Sequence, residues 1–145
     1  IIQGFMLQGG DFTNSDGTGG HAVVWSGYCN GAAASSSSDC AKTDWTLPDE
    51  ADNGMLHEPY VLSMAKTSAA NTGGSQFFIV SPGSTPDHLD GVHTVFAKVI
   101  EGQDIIDKID AVETGGSQGS TPAQLVTLER ATFGDDAGEP WYQFW

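Results

Sequence analysis

Two cysteines, Cys29 and Cys40, flank a short polar stretch and are the residues most open to covalent chemistry. A disulfide between them would close a small loop and contribute about 3 kcal/mol to its ordering. Disulfides persist in oxidising compartments, so this pairing predicts an exported, extracytoplasmic protein. A reduced pair in a cytoplasmic protein, or a metal-bound pair, is the alternative interpretation.

Carboxylates dominate the charged residues, because 19 Asp and Glu against 5 Lys and Arg give a formal net charge of −14. So acidic a chain lacks the cations that neutralise phosphates, which excludes nucleic-acid binding and attraction to anionic membranes. The densest acidic clusters, at 49–52 and 135–139, lack the ligand spacing of a calcium loop. His88 and His93 do not form a convincing metal pair. We therefore expect no metal and no cofactor.

The elements that must position the functional residues are mostly strands. The longest apolar run, Phe77 to Val80, is far shorter than the roughly 20 residues of a membrane helix. Ile105, Ile106, Ile109 and Val112 lie at helical spacing and predict one amphipathic helix over 102–112. Apolar segments predict strands over 1–7, 60–65, 76–80, 93–99 and 125–133. The pattern indicates a mostly β domain, a barrel or a sandwich.

Two segments differ in composition from the rest. Residues 21–44 are rich in alanine, glycine and serine, which predicts a long, flexible inserted loop. Residues 134–145 form an acidic tail with several aromatic residues, which could dock on a partner or on the domain itself. We expect one domain over 1–133, interrupted by the insertion and followed by the tail.

Three segments carry a more specific signal than the predicted elements. They are Gly4–Thr13 with the glycine turn at 17–20, Leu62–Ala65 with Asn71–Ile79, and Leu89–Phe96. In this order and at this spacing they closely resemble the cyclophilin family of peptidyl-prolyl cis-trans isomerases. The resemblance spans residues 1–133, apart from the insertion.

The resemblance implies a closed antiparallel β-barrel with capping helices. It also implies that the first strands and the first helix of the domain would precede Ile1, as would the catalytic arginine of the family, immediately before Ile1. We therefore expect a partial domain whose sheet edges are exposed. The complete protein is expected to be a monomer.

The resemblance also implies which residues act on the substrate. The residues taken as catalytic line the proline-ring pocket of the family or orient the peptide in it. They match Phe5, Gln8, Phe78, Leu89 and His93. The residues taken as substrate-binding match Met6, which belongs to the same proline-ring pocket, and Thr18, Ala65, Lys66, Thr67, Gln76 and His88.

The implied reaction is rotation about an Xaa-Pro peptide bond. Rotating an amide costs about 18–20 kcal/mol because resonance is lost, and Xaa-Pro isomers exchange slowly without a catalyst. No bond is cleaved, so the enzyme needs only to bind the twisted amide better than either planar form. An apolar pocket for the ring and hydrogen-bond donors around the amide suit that task.

The sequence departs from the family pattern at two places. The segment Ala65–Ala70 is one residue longer than its counterpart, so the substrate-binding asparagine of the family maps only loosely, to Lys66 or Thr67. His88 stands where many members have a tryptophan that binds cyclosporin. We therefore expect cyclosporin-like cyclic peptides to bind weakly.

These residues predict a prolyl isomerase that acts on proline-containing polypeptides and assists protein folding. The alternative is a non-catalytic module that binds proline peptides in the same pocket. The combination of pocket, glutamine and histidine residues favours catalysis.

Overall fold

The computed structural model describes residues 1–129, which are mostly β with one α-helix, as the sequence predicts. Three-residue 3-10 turns occur at Ser37–Asp39, Lys42–Asp44 and Asp87–Leu89. No helix within residues 1–129 has the length and apolar character needed to cross a membrane. The elements are β1 (Met6–Gly9), β2 (Tyr28–Cys29), β3 (Ala32–Ala33), β4 (Trp45–Thr46), β5 (Val61–Met64), β6 (Phe77–Val80), β7 (Val95–Lys98), α1 (Gln103–Asp110), β8 (Thr114–Gly115) and β9 (Thr121–Pro122).

The main sheet contains four antiparallel strands in the order β1-β6-β5-β7. The apolar strand β6 lies between β1 and β5, where both of its edges are paired. Its Phe78 lies opposite Gln8 of β1 and Ser63 of β5. Within residues 1–129 the sheet does not close on itself. The closed barrel implied by the resemblance is therefore not present in this part of the chain.

The hydrophobic core lies on one face of this sheet. Alternation along the strands places every second side chain on that face. The buried cluster is Val61, Phe78, Val80 and Val95, with Met6, Met55, Ala65 and Leu89 packed against it. The same face therefore carries both the core and several predicted site residues.

Helix α1 packs against β1 and is held by the carboxylate of Asp110. Asp110 accepts hydrogen bonds from the Ser81 hydroxyl at 2.6 Å and from the Gly4 amide at 3.3 Å. Ile106 is buried, whereas Ile105 is half exposed. The predicted helix is confirmed, with ends one and two residues inside the predicted bounds.

Two predicted strands differ from the structure. The first begins at Met6 rather than Ile1, because Gly4 adopts a φ of +70° in a turn closed by bonds between Ile2 and Met6. Residues 125–129 form neither helix nor strand, and Leu125 is 92% exposed. A strand needs a neighbour to pair its backbone groups, and residues 1–124 offer none there. Residues 130–133 and the predicted tail at 134–145 lie outside the described residues.

The insertion at 21–44 is more ordered than its composition suggests, which corrects the prediction of a long loop without regular structure. Strand β2 pairs with both β3 and β4. The Asn30-Gly31 dipeptide joins β2 to β3, and both residues have positive φ, +48° and +82°. That geometry is the one a two-residue hairpin requires, and Asn-Gly is its preferred sequence. The Sγ atoms of Cys29 and Cys40 are joined in a disulfide.

The core predicts a large difference between two valines. Val80 is completely buried, whereas Val24 in the insertion is 72% exposed. In the complete protein, Val80→Ala should lower the free energy of unfolding by about 2–3 kcal/mol, because it removes two methyl groups and leaves a cavity. Val24→Ala should change it by less than about 0.5 kcal/mol. Urea denaturation followed by tryptophan fluorescence measures both, and equal effects would contradict the assigned core.

Candidate functional site

One cavity of about 580 Å³ is lined by nearly all the predicted site residues. They reach it from β1, β6, the end of β5, the 11–20 loop and the turn around Leu89. Their roles in catalysis or binding stay predictions, but the structure brings their side chains to one place. The predicted residues that line the cavity are Phe5, Met6, Gln8, Thr18, Ala65, Lys66, Thr67, Gln76, Phe78, Leu89 and His93.

The apolar end of the cavity is built around Phe78, whose ring is held between two imidazoles. His57 stacks on it with ring centres 5.8 Å apart and planes 10° apart. His93 meets it edge-on, with centres also 5.8 Å apart. Since aromatic pairs in these arrangements are favourable, the orientation of the Phe78 ring is fixed by its neighbours.

Behind Phe78, the buried His57 links two strands and a loop. Its Nδ1 lies 2.7 Å from Oδ1 of Asp90, and its Nε2 lies 2.9 Å from Oγ of Ser63. The hydrogen bond from the His57 side chain, with a second from its backbone N–H, lowers the pKa of Asp90. Asp90 is therefore ionised at neutral pH, and Nδ1 of His57 carries the proton that this carboxylate accepts.

Ser63, His57 and Asp90 have the side chains and contacts of a hydrolase triad, but they do not form a nucleophilic site. Ser63 has an exposed fraction of 0%. Its hydroxyl also lies 3.1 Å from the carbonyl oxygen of Thr94. A nucleophile must reach its substrate, so this cluster positions Phe78 and does not attack anything.

His93 is oriented by the strand beside it. Its Nδ1–H donates to the carbonyl oxygen of Met64 at 3.0 Å, which leaves Nε2 as an acceptor in the neutral ring. Its backbone N–H donates to the carbonyl of Leu89 at 3.0 Å. Leu89 and His93 are thus held together on the same side of the cavity.

Two glutamines connect the apolar end to the polar end. Nε2 of Gln8 donates to Oε1 of Gln76 at 2.7 Å. Nε2 of Gln76 donates in turn to the carbonyls of Gly17 and Gly19, at 3.1 and 2.6 Å. The bond from Gln8 to Gln76 leaves the amide oxygen of Gln8 available as an acceptor. The chain of bonds fixes the position of the 17–20 turn relative to β1.

The glycine-rich 11–20 loop is shaped by the carboxylate of Asp11. It accepts backbone hydrogen bonds from Asn14 at 2.9 Å, Gly17 at 2.9 Å and Gly19 at 3.1 Å, among others. These bonds, led by that from Asn14, hold the pKa of Asp11 far below its usual value. The ionised carboxylate therefore organises a loop that has little core of its own.

The segment after β5 is occupied by internal bonds. Nζ of Lys66 lies 3.3 Å from Oδ2 of Asp49, and the Lys66 side chain is 6% exposed. The Thr67 hydroxyl lies 2.8 Å from that of Thr72. Lys66 therefore contributes a neutralised charge, not a free cation, to the cavity wall.

A family model described as cyclophilin type peptidyl-prolyl cis-trans isomerase/CLD matches residues 1–133. The chain belongs to the cyclophilin family. The prediction of this family from the sequence is confirmed. The chain is also similar to a curated protein named peptidyl-prolyl cis-trans isomerase D from Mycosarcoma maydis. The two are 39% identical over 117 residues, which cover 81% of this chain and 24% of the relative. The chain therefore spans about a quarter of that relative's length.

His88 is the one predicted site residue that does not line the cyclophilin cavity. It lies exposed in the Asp87–Leu89 turn and stacks on Phe5, with ring centres 6.1 Å apart. It can therefore touch only a ligand that extends beyond the cavity rim.

Sequence reasoning missed the part of the cyclophilin cavity that the insertion contributes. Asn30, Thr43 and Asp44 of the insertion line it, followed by Trp45 and Thr46 of β4. The Asn30-Gly31 hairpin signal and the cysteine pair could have predicted that the insertion folds. Its position against the cavity depends on tertiary packing, for which the sequence has no local signal.

The hydrogen bonds that the Asp11 carboxylate accepts predict the effect of neutralising it. Asp11→Asn should speed hydrogen exchange at the amides of Asn14, Gly17 and Gly19 and weaken peptide binding several-fold, because a neutral amide is a weaker acceptor. In the wild type the folded pKa of Asp11 lies below its unfolded value. Its contribution to the loop is therefore present above about pH 4 and is lost as the pH falls further.

Exchange measured by NMR on the complete protein, between about pH 3 and pH 7, tests this. Asp52→Asn is the matched control, since it removes the same charge from an exposed position. Unchanged exchange in Asp11→Asn would show that the loop is held by other contacts.

Proposed function

We propose that the protein containing this chain is a peptidyl-prolyl cis-trans isomerase acting on proline-containing polypeptides. The observation that carries this proposal is that one cavity joins an apolar end around Phe78 to the polar Gln8–Gln76 pair. Membership of the cyclophilin family supports it, since that family consists of enzymes of this class and relatives of their fold. The activity assists protein folding, because uncatalysed prolyl isomerisation is slow enough to limit it.

The proposed mechanism assigns each end of the cavity a separate task. Phe5, Met6, Phe78 and Leu89 hold the prolyl ring in an apolar environment that excludes water. Gln8 accepts from or donates to the peptide backbone beside the ring. Rotation then occurs between a held ring and a held backbone, and the cavity favours the twisted amide over the planar forms.

Nothing in this reaction requires a covalent step or a proton transfer by the enzyme. The twisted amide has a more basic nitrogen and a carbonyl released from resonance, so fixed hydrogen-bond donors lower its energy. The arginine that the resemblance places immediately before Ile1 would be such a donor. His93 lines the same pocket and has an orientation fixed by Met64.

The proposal predicts that the complete protein accelerates cis-trans exchange of an Ala-Pro peptide, measured by exchange NMR. Gln8→Ala should lower the catalysed rate about tenfold, because the hydrogen bond that holds the peptide backbone beside the rotating amide is lost. Gln3→Ala is the matched control: Gln3 is exposed, lies outside the cavity and bonds the Val112 carbonyl. Phe78→Ala should abolish turnover, but it also removes core packing, so Gln8→Ala is the cleaner test.

Chemical-shift changes without faster exchange would overturn the isomerase proposal. They would leave the non-catalytic proline-peptide-binding module as the function of this cavity. Equal rates in Gln3→Ala and Gln8→Ala would instead exclude Gln8 from the mechanism.

We also propose that cyclosporin-like cyclic peptides bind weakly, because His88 offers a smaller and more polar ring at the cavity rim than a tryptophan. His88→Trp should raise cyclosporin affinity at least about tenfold, while Ala-Pro turnover stays within about twofold. Inhibition titrations of the complete protein measure both quantities. Nanomolar inhibition of the unaltered protein would contradict the role given to His88.

A further inference from the structure

Residues of the insertion and of the adjoining strand β4 form part of the cavity lining. Asn30, Thr43, Asp44, Trp45 and Thr46 form this part of the lining, here termed the insertion wall. Gln76 and the 17–20 turn line the same cavity, as does Gln8. A volume of about 580 Å³ holds more than a prolyl ring, so residues flanking the proline enter the polar end.

The insertion wall is held in place from several sides. The backbone N–H of Asn30 donates to the Asp44 carbonyl at 2.8 Å, and the Asp44 N–H donates to Ala41 at 2.8 Å. Nε1 of Trp45 donates to the carbonyl of Cys40 at 3.3 Å, one residue of the Cys29–Cys40 disulfide. These bonds present Asp44 to the cavity in a fixed backbone position.

The hairpin tip also packs closely on the segment after β5. A Cβ atom at Gly31 would lie only 2.8 Å from the carbonyl oxygen of Ala70. On the other side, the N–H of Leu47 donates to the Gly73 carbonyl at 2.7 Å. The wall is therefore fixed to the same segment that carries Lys66 and Gln76, which keeps its distance from the rest of the site constant.

Asp44 differs from the other ionisable groups lining the cavity. Lys66 is paired with Asp49, and Nδ1 of both His21 and His93 contacts a backbone carbonyl. Within residues 1–129, the Asp44 carboxylate has neither a hydrogen bond nor a cation within 4.0 Å. The nearby Lys42 lies over the Trp45 ring, 5.9 Å from its centre.

We propose that Asp44 makes this cavity selective for peptides with a lysine or arginine close to the Xaa-Pro bond. A carboxylate in a cleft attracts a cation more strongly than one on open surface, because solvent screens it less. The inference rests on the proposed function, and it names the substrate class of the same site.

The test uses the complete protein and a set of peptides that differ at one position. Each peptide contains an Ala-Pro unit with two residues before it and two after it. One of these four flanking positions at a time carries lysine, leucine or glutamate. Exchange NMR gives the catalysed rate, and calorimetric titration gives the affinity. At one position or more, the lysine peptide should exceed the glutamate peptide about tenfold in kcat/KM, and the ratio should fall toward one in 1 M salt.

Asp44→Asn should reduce the lysine-to-leucine ratio about fivefold. Asp52→Asn removes the same charge from an exposed site outside the cavity and should leave that ratio unchanged. An equal reduction in both variants would assign the preference to the overall charge of −14 and overturn the role of Asp44. Equal rates and affinities for lysine and glutamate peptides at every position would also overturn it.

The two proposals fail in different ways. Selective binding of lysine peptides without faster exchange would overturn the isomerase proposal and support Asp44 as a specificity residue. Fast exchange without any charge preference would support the isomerase proposal and overturn the proposal that Asp44 determines specificity. Circular dichroism of each variant establishes that the fold is retained.

Discussion

The site depends first on the register of β6 between its two neighbours. Pairing places Phe78 opposite Gln8 on one side and Ser63 on the other. The side-chain repeat of a strand is two residues, so a shift of one would turn Phe78 to the opposite face. The ring would then lose His57 and His93, and the cavity would lose its apolar end. The buried bond between His57 and Ser63 of β5 holds the imidazole on which Phe78 of β6 stacks, so the core of the sheet and the position of this ring are linked.

The two ends of the cavity are held by different physical means. The apolar end is fixed by packing, since Phe78 belongs to the same buried cluster as Val61, Val80 and Val95. The polar end has no such core. There the backbone of the glycine-rich loop is fixed by the Asp11 carboxylate, and Gln76 joins that loop to the sheet. Ionised acceptors make stronger hydrogen bonds than neutral ones, so one carboxylate can shape a loop that buries little surface.

Much of the fold and of the site could be predicted from the sequence, for identifiable reasons. Strands β5, β6 and β7 follow from runs of apolar and β-branched residues, and α1 follows from its isoleucine spacing. The cavity residues follow from motifs whose order resembles one family. The order of strands in the sheet and the bulge at Leu62 depend on contacts between distant segments, and local patterns do not encode them.

The insertion shows where composition misleads. Its alanine and serine content predicts a flexible loop, yet two residues, Asn30 and Gly31, set a hairpin through their positive φ angles. The backbone preference of this dipeptide therefore determines the local structure, although the composition of the surrounding segment predicts a flexible loop. Leu125 shows the reverse case, because an apolar segment forms no strand where residues 1–124 offer no partner.

The placement of the insertion explains how selectivity can be added to this site without disturbing its chemistry. Surface carboxylates distributed over the chain act through solvent, where salt screens them beyond about 8 Å at physiological ionic strength. A carboxylate inside the cavity acts at short range and on one side chain of the peptide. The insertion wall lines the cavity, while Phe78 and its imidazole neighbours are positioned by the sheet and the loops beside it. Changes in the wall can therefore alter which peptide is held, while the register of β6 continues to determine how the prolyl ring is held.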